Sequence, residues 1–103
     1  MLYSSQILDQ AKKEINSLSP DKRGRIRASM ETLCRGDFLS VYIKALKGKI
    51  KELVVADCRI IFFIHDQTVY FIHVFIKKTK KTPKAKIEHA EKLYKIIINY
   101  EKN

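Results

Sequence analysis

Two almost uninterrupted apolar runs, RIIFFIH over residues 59–65 and VYFIHVFI over residues 69–76, are separated by only Asp66, Gln67 and Thr68. Rich in Ile, Val, Phe and Tyr, they predict two β-strands, and the short link predicts a tight antiparallel hairpin. A strand with one wet face alternates apolar and polar side chains. These two are apolar on both faces, so they are central rather than edge strands. A third strand is predicted over residues 49–55, where Lys49 and Lys51 fit a more exposed neighbour.

The flanking segments change period. Ser4 or Ser5 can cap a first helix, along which Ile7, Leu8, Ala11, Ile15 and Leu18 recur at helical spacing. Ser19-Pro20-Asp21 is a second start signal, with serine as N-cap, proline at the first helical position and an acid in the first turn. Ile26, Met30, Leu33 and Cys34 form its apolar stripe, Gly24 weakens its early turns, and Gly36 can end it. These segments read as a helical hairpin. Residues 38–43 fit neither period. Thr82-Pro83 repeats the cap-then-proline signal ahead of Ile87, Ala90, Tyr94, Ile97 and Ile98, an amphipathic C-terminal helix. The predicted order is α-α-β-β-β-α over residues 1–103. It describes a single α+β domain in which an N-terminal helical hairpin and a C-terminal helix pack on a small, mainly antiparallel sheet.

A chain of 103 residues with 46% apolar content can bury one modest core. Its formal charge of +10 is uneven: residues 1–40 and 41–75 each carry net +2, and residues 76–103 carry net +6. No acid occurs between Asp66 and Glu88, while six of the ten residues from Lys77 to Lys86 are lysine. Such a field attracts polyanions; a lysine-rich surface kept for solubility is the bland alternative. Cys34 and Cys58 are too few for a metal site or a disulfide framework and read as reduced, mostly buried thiols. The N-terminus carries charges where a signal peptide needs its apolar run, and no apolar run reaches membrane-spanning length. A cytoplasmic protein without a membrane partner is expected.

Gly-rich phosphate loops, Cys/His metal spacings and serine-nucleophile signatures are absent, so no cofactor or metal is expected and a cationic site remains. Arg59 opens an apolar strand. It is either a strand-end arginine that pairs with Asp57 or Glu52, or a phosphate ligand presented by a rigid element. His73 is either a satisfied core histidine or a proton-transfer group beside bound phosphate. A two-residue hairpin loop pairs it with Ile60 and a three-residue loop with Ile61, and that slip decides whether it shares a face with Arg59. Lys77 and Lys78 extend the last strand and point to opposite faces, so only one can line a given surface. Lys80, Lys81, Lys84 and Lys86 continue into the start of the C-terminal helix, where they oppose the helix dipole but suit a phosphate.

Taken in order, LKGKIKEL at residues 46–53, CRIIF at 58–62 and HVFIKKTKKTP at 73–83 resemble the RelE/HigB superfamily of bacterial toxins, in its phage-derived HigB-like branch. The third segment matches the H-x-F-x-K-K-x-x-x-T-P pattern of that branch at every specified position. The resemblance implies a RelE-like fold and the toxin of a type II toxin–antitoxin system. It further implies a ribosome-dependent endoribonuclease that cuts translated mRNA without a metal and is held in check by a cognate antitoxin of the helix-turn-helix type. Arg59 and Lys77 would stabilise charge on the phosphate, with Lys78 in place of Lys77 if the register is slipped, and His73 would transfer the proton. Lys47, Lys49, Lys51, Lys80, Lys81 and Lys84 would hold RNA. In three respects the chain departs from its relatives. Val54 stands where they often carry arginine, and Cys58 where an aromatic often precedes the arginine and would stack on a base. The chain also reads as opening directly on a helix, whereas relatives open on a short strand. Two other readings stand beside the nuclease: a gyrase-directed toxin of the ParE kind, and a basic RNA- or ribosome-binding module without toxicity.

Overall fold

The structure, a computed structural model, describes residues 2–102. A five-stranded sheet of order β1-β5-β4-β3-β2 carries helices on both faces. Its strands are β1 (Ser4–Ile7), β2 (Tyr42–Lys47), β3 (Ile50–Val55), β4 (Cys58–His65) and β5 (Thr68–Ile76). The helices are α1 (Asp9–Asn16), α2 (Pro20–Cys34) and α3 (Lys84–Lys102), and a short 3₁₀ turn occupies Phe38–Ser40. As the apolar runs require, β4 and β5 are central. Ile60, Ile61, Phe62, Phe63, Phe71 and Ile72 are all fully buried.

One face of the sheet presents Leu53, Ile60, Phe62, Val69, Phe71 and Val74 to Ala11 and Ile15 of α1 and to Ile26, Met30 and Leu33 of α2. The other presents Ile50, Ile61, Phe63 and Ile72 to α3, through Ala90, Leu93, Tyr94 and Ile97. Two separate apolar layers therefore sandwich the sheet, each with about 25 cal/mol per Å² of buried apolar surface favouring the fold. The helix signals act as expected in α2. Ser19 Oγ accepts from the Lys22 amide (3.4 Å) and Pro20 opens the helix. Gly36, at φ 81°, ends it in a Schellman motif, with its amide on the Leu33 carbonyl and the Asp37 amide on that of Thr32.

Three expectations are corrected. Ser4 and Ser5 do not cap a helix; they belong to β1, which pairs in parallel with residues 68–71 of β5, so the chain does open on a short strand. Residues 38–43 enter a further strand, β2, and β2 rather than β3 is the exposed edge. Thr82 does not cap α3 with its hydroxyl, which donates instead to Glu52 Oε1 at 2.6 Å.

The hairpin register combines both alternatives. The β4–β5 turn has two residues, Asp66 and Gln67, both left-handed (φ 48° and 64°), and pairs His65 with Thr68. Continued unbroken, that register would set Ile60 opposite His73. A β-bulge at Ile72 intervenes: Phe62 pairs with Phe71, and Ile61 with His73. The extra residue turns His73 to the face that carries Arg59.

Candidate nucleic-acid interface

On the α3 face, the register aligns Tyr42, Val54, Arg59 and Phe75 in one row across β2–β5, and Lys44, Glu52, Ile61 and His73 in the next. The amide of Lys77 donates to the Asp57 carbonyl (2.9 Å), which extends the pairing past β5. Alternation then assigns Lys77 to the Arg59 face and the exposed Lys78 to the opposite one.

Arg59 is held rather than free. Its side chain is 15% exposed, and Nη1 donates to the carbonyls of Ala56 (2.9 Å) and Cys58 (2.8 Å). Its Nε is buried and forms an ion pair with Glu52 Oε1 at 3.9 Å, beyond hydrogen-bond range, and makes no hydrogen bond. Glu52 itself is buried, and its Oε1 already accepts from Thr82. A buried carboxylate thus sits close enough to steady the cation electrostatically, while Nε, itself buried, makes no hydrogen bond. Asp57, the other partner suggested by the sequence, binds Lys22 of α2 at 3.0 Å instead, and that ammonium holds its carboxyl below the usual range.

Two strands from Arg59, beyond Val54, the row supplies Tyr42, 58% exposed, with Lys44 Nζ 5.6 Å from the centre of its ring. Neither residue was singled out from the sequence. The alternation of Tyr42, Ile43 and Lys44 was the available signal, and a register shift between Ala45 and Lys47 interrupts it. Phe75, on the other flank, carries Lys86 Nζ 5.1 Å over its ring. The face therefore pairs cations with aromatic surfaces, a combination suited to single-stranded nucleic acid.

The remaining lysines do not converge. Lys80 and Lys81 are exposed in the loop after β5, and Lys84 opens α3 with Nζ 3.8 Å from Glu88. Lys47 and Lys49 lie at the β2–β3 turn, at the far end of the sheet from Arg59, and Lys47 pairs with Glu91 (3.4 Å). Lys51 stands on the opposite face, among Phe38, Ile43, Ala45 and Phe62. These three residues are not part of the Arg59 surface. Val54 is directly opposite Arg59, so this departure falls inside the site. Cys58 is buried on the α2 side, where an aromatic ring could not stack on a base held by Arg59; that departure has no bearing on the face. Burial pushes the Cys34 and Cys58 thiols up, and both are free.

His73 is buried, at 7% exposure, and both ring nitrogens are engaged. Nδ1 lies 3.3 Å from Glu14 Oε1 of α1, and Nε2 lies 2.8 Å from Nδ1 of His89 on α3. The same Glu14 oxygen accepts from the Val74 amide (3.1 Å), and its other oxygen is 3.6 Å from Lys86 Nζ. Burial lowers the affinity of His73 for a second proton, with Lys86 and His89 acting in the same direction and Glu14 against it. The folded-state pKa lies below the usual 6.5. The unfolded chain therefore binds the proton more readily, and this contribution to stability is present above about pH 6.5 and is lost as pH falls below it. Urea melts between pH 7.5 and 5 are expected to show a smaller loss of stability in His73→Asn than in the wild type. Equal losses would refute the assignment.

Against this geometry, the family described as Phage derived protein Gp49-like (DUF891) matches residues 13–95. The chain belongs to that Gp49-like family. It is 34% identical over 83 residues to a Mycobacterium tuberculosis protein named "Probable endoribonuclease HigB1". That match spans 77% of this chain and 66% of the relative, slightly under two thirds of the relative's length. Among solved structures, the toxin–antitoxin complex RelBE2 of M. tuberculosis holds a chain with TM-score 0.63 at 17% identity, covering 75% of this chain and 100% of that one. The RelB–RelE complex of Methanococcus jannaschii gives 0.61 at 22% identity, over 70% and 89%. The fold is that of RelE, and the resemblance to the RelE/HigB superfamily that the Gp49-like segments carry is borne out.

Proposed function

We propose that the protein is the toxin of a type II toxin–antitoxin system and inhibits translation by cutting mRNA on the ribosome. The observation that carries the reading is Arg59: a guanidinium held on a central strand beside Phe75, in a cross-strand row that ends on the exposed ring of Tyr42. Cleavage by the ribose 2′-OH requires a proton acceptor, stabilisation of the charge added to the phosphate, and a proton for the leaving 5′ oxygen. Arg59 and Lys77 supply the charge stabilisation, and Tyr42 and Phe75 offer surfaces for bases. Lys80, Lys81 and Lys84, in the loop after β5 and at the start of α3, steer the RNA backbone, with Lys78 adding to the positive field from the opposite face. The named activity of the M. tuberculosis relative and the antitoxin-bound state of the RelE structures support this reading. A cognate antitoxin of the helix-turn-helix type, which masks the basic face until it is released, completes it. No helix among the described residues is long and apolar enough to cross a membrane, and the site of action is the cytoplasm.

Val54 favours a second reading. Facing Arg59 across the β3–β4 pair, it withholds a second cation from the phosphate site, as suits a gyrase-directed toxin. Inducing the chain in bacterial cells while following translation and DNA synthesis separates the two. Rapid transcript loss with replication intact is expected, whereas an early replication block over intact transcripts would replace the nuclease by the gyrase toxin.

A further inference from the structure

The molecule's second concentration of titratable groups joins α1, β5 and α3. Glu14, His73 and His89 form a chain of contacts in which each imidazole fixes the proton of the next. Glu14 Oε1 is an acceptor, already bonded by the Val74 amide, so the His73 nitrogen facing it at 3.3 Å, Nδ1, carries the hydrogen. Burial keeps His73 neutral, which leaves its Nε2 as an acceptor. His89 Nδ1, 2.8 Å away, is then the donor, and the lone pair of His89 falls on Nε2. His89 is exposed, whereas His73 is not. His73 is the diagonal neighbour of Arg59 across the β4–β5 pair, at about 7–8 Å. Lys86, one turn before His89, covers Phe75 in the Arg59 row.

We propose that His89 is the proton-transfer residue of RNA cleavage, with His73 as the positioning residue that connects it to Glu14. The proposal rests on the nuclease reading and sharpens it. As the 2′ oxygen bonds to phosphorus, its proton passes to His89 Nε2, and the bond from phosphorus to the 5′ oxygen breaks. The 5′ oxygen takes a proton from water, and the imidazolium later returns its own proton to water. The products are a 2′,3′-cyclic phosphate and a 5′-hydroxyl. The resulting imidazolium is stabilised by the His73 acceptor and, behind it, by the Glu14 carboxylate; Lys86 is the opposing cation.

Single-turnover cleavage of a translated mRNA on purified ribosomes, measured from pH 5.5 to 8.5, tests this. His89→Ala is expected to slow cleavage roughly 10²–10⁴-fold with ribosome binding unchanged and only a modest fall in melting temperature, since the buried His73 Nε2 loses its donor. Added imidazole should restore part of the rate. His73→Gln and Glu14→Gln should move the acidic limb of the wild-type pH profile to lower pH, because each removes support for the imidazolium. A wild-type rate and profile in His89→Ala overturns the proposal and leaves the nuclease reading standing, and so does a loss traced entirely to weaker ribosome binding. If the wild type cleaves nothing while Arg59→Ala behaves identically, the nuclease reading falls and the proposal with it.

Discussion

Arg59→Ala is expected to abolish growth inhibition and to lower the cleavage rate by about 10²–10³-fold, the usual loss when one donor to a developing anion is removed. The size follows from the setting. A single guanidinium lies on the central strands, and Val54 opposite provides no substitute. Removing it also frees the Ala56 and Cys58 carbonyls and leaves buried Glu52 with Thr82 as its hydrogen-bond donor, a structural cost of about 1–3 kcal/mol. Arg59→Lys separates the two effects. It retains a cation beside Glu52 but loses the fork, so stability should recover more than activity. Thermal melts alongside toxicity assays make the distinction, and full toxicity in a folded Arg59→Ala protein would exclude the site.

Phe63→Ala is expected to cause the largest loss of stability, about 3–5 kcal/mol, a large share of the ~5–15 kcal/mol typical of a small domain. Phe63 is fully buried and stacks on Tyr70 with centroids 5.1 Å apart. It also meets the edge of Tyr94 on α3 at 5.1 Å. The cavity opens in the layer under α3 rather than under α1 and α2. Amide exchange in α3 should therefore accelerate before exchange in α2, while Phe62→Ala, on the opposite face, should loosen α2 first. Because α3 carries Lys86 and His89 over the sheet, Phe63→Ala should also depress activity at temperatures where the protein remains mostly folded. Uniform exchange across both helices would contradict the two-layer description.

The central hairpin was legible because β4 and β5 are buried on both faces, a pattern that is visible along the chain itself. The Ser19-Pro20 cap was equally legible because it is local chemistry. β1 was not: Ser4-Ser5-Gln6-Ile7 is polar, and its strand character comes only from parallel pairing with β5, more than sixty residues away. The same non-locality hid the site's finer structure. Arg59 and Lys77 were identifiable as cations at strand ends, but the bulge at Ile72 that brings His73 round to their face is a property of the β4–β5 pairing and leaves no mark along the chain. Lys51 carried the same motif-level signal as Arg59, and strand alternation sends it to the other side. His89 carries no local mark at all, since an exposed helical histidine acquires meaning only from the two side chains behind it.

The chemistry of the cut RNA ends separates attack by the ribose 2′-OH from hydrolysis by water. Cells expressing the wild type or Arg59→Ala would be compared by sequencing that distinguishes 2′,3′-cyclic phosphate and 5′-hydroxyl ends from 3′-hydroxyl and 5′-phosphate ends. New cyclic-phosphate and 5′-hydroxyl ends within translated regions are expected for the wild type, and none above background for Arg59→Ala. Intact transcripts during growth arrest, or wild-type cuts bearing 5′-phosphates, would contradict cleavage by the 2′-OH.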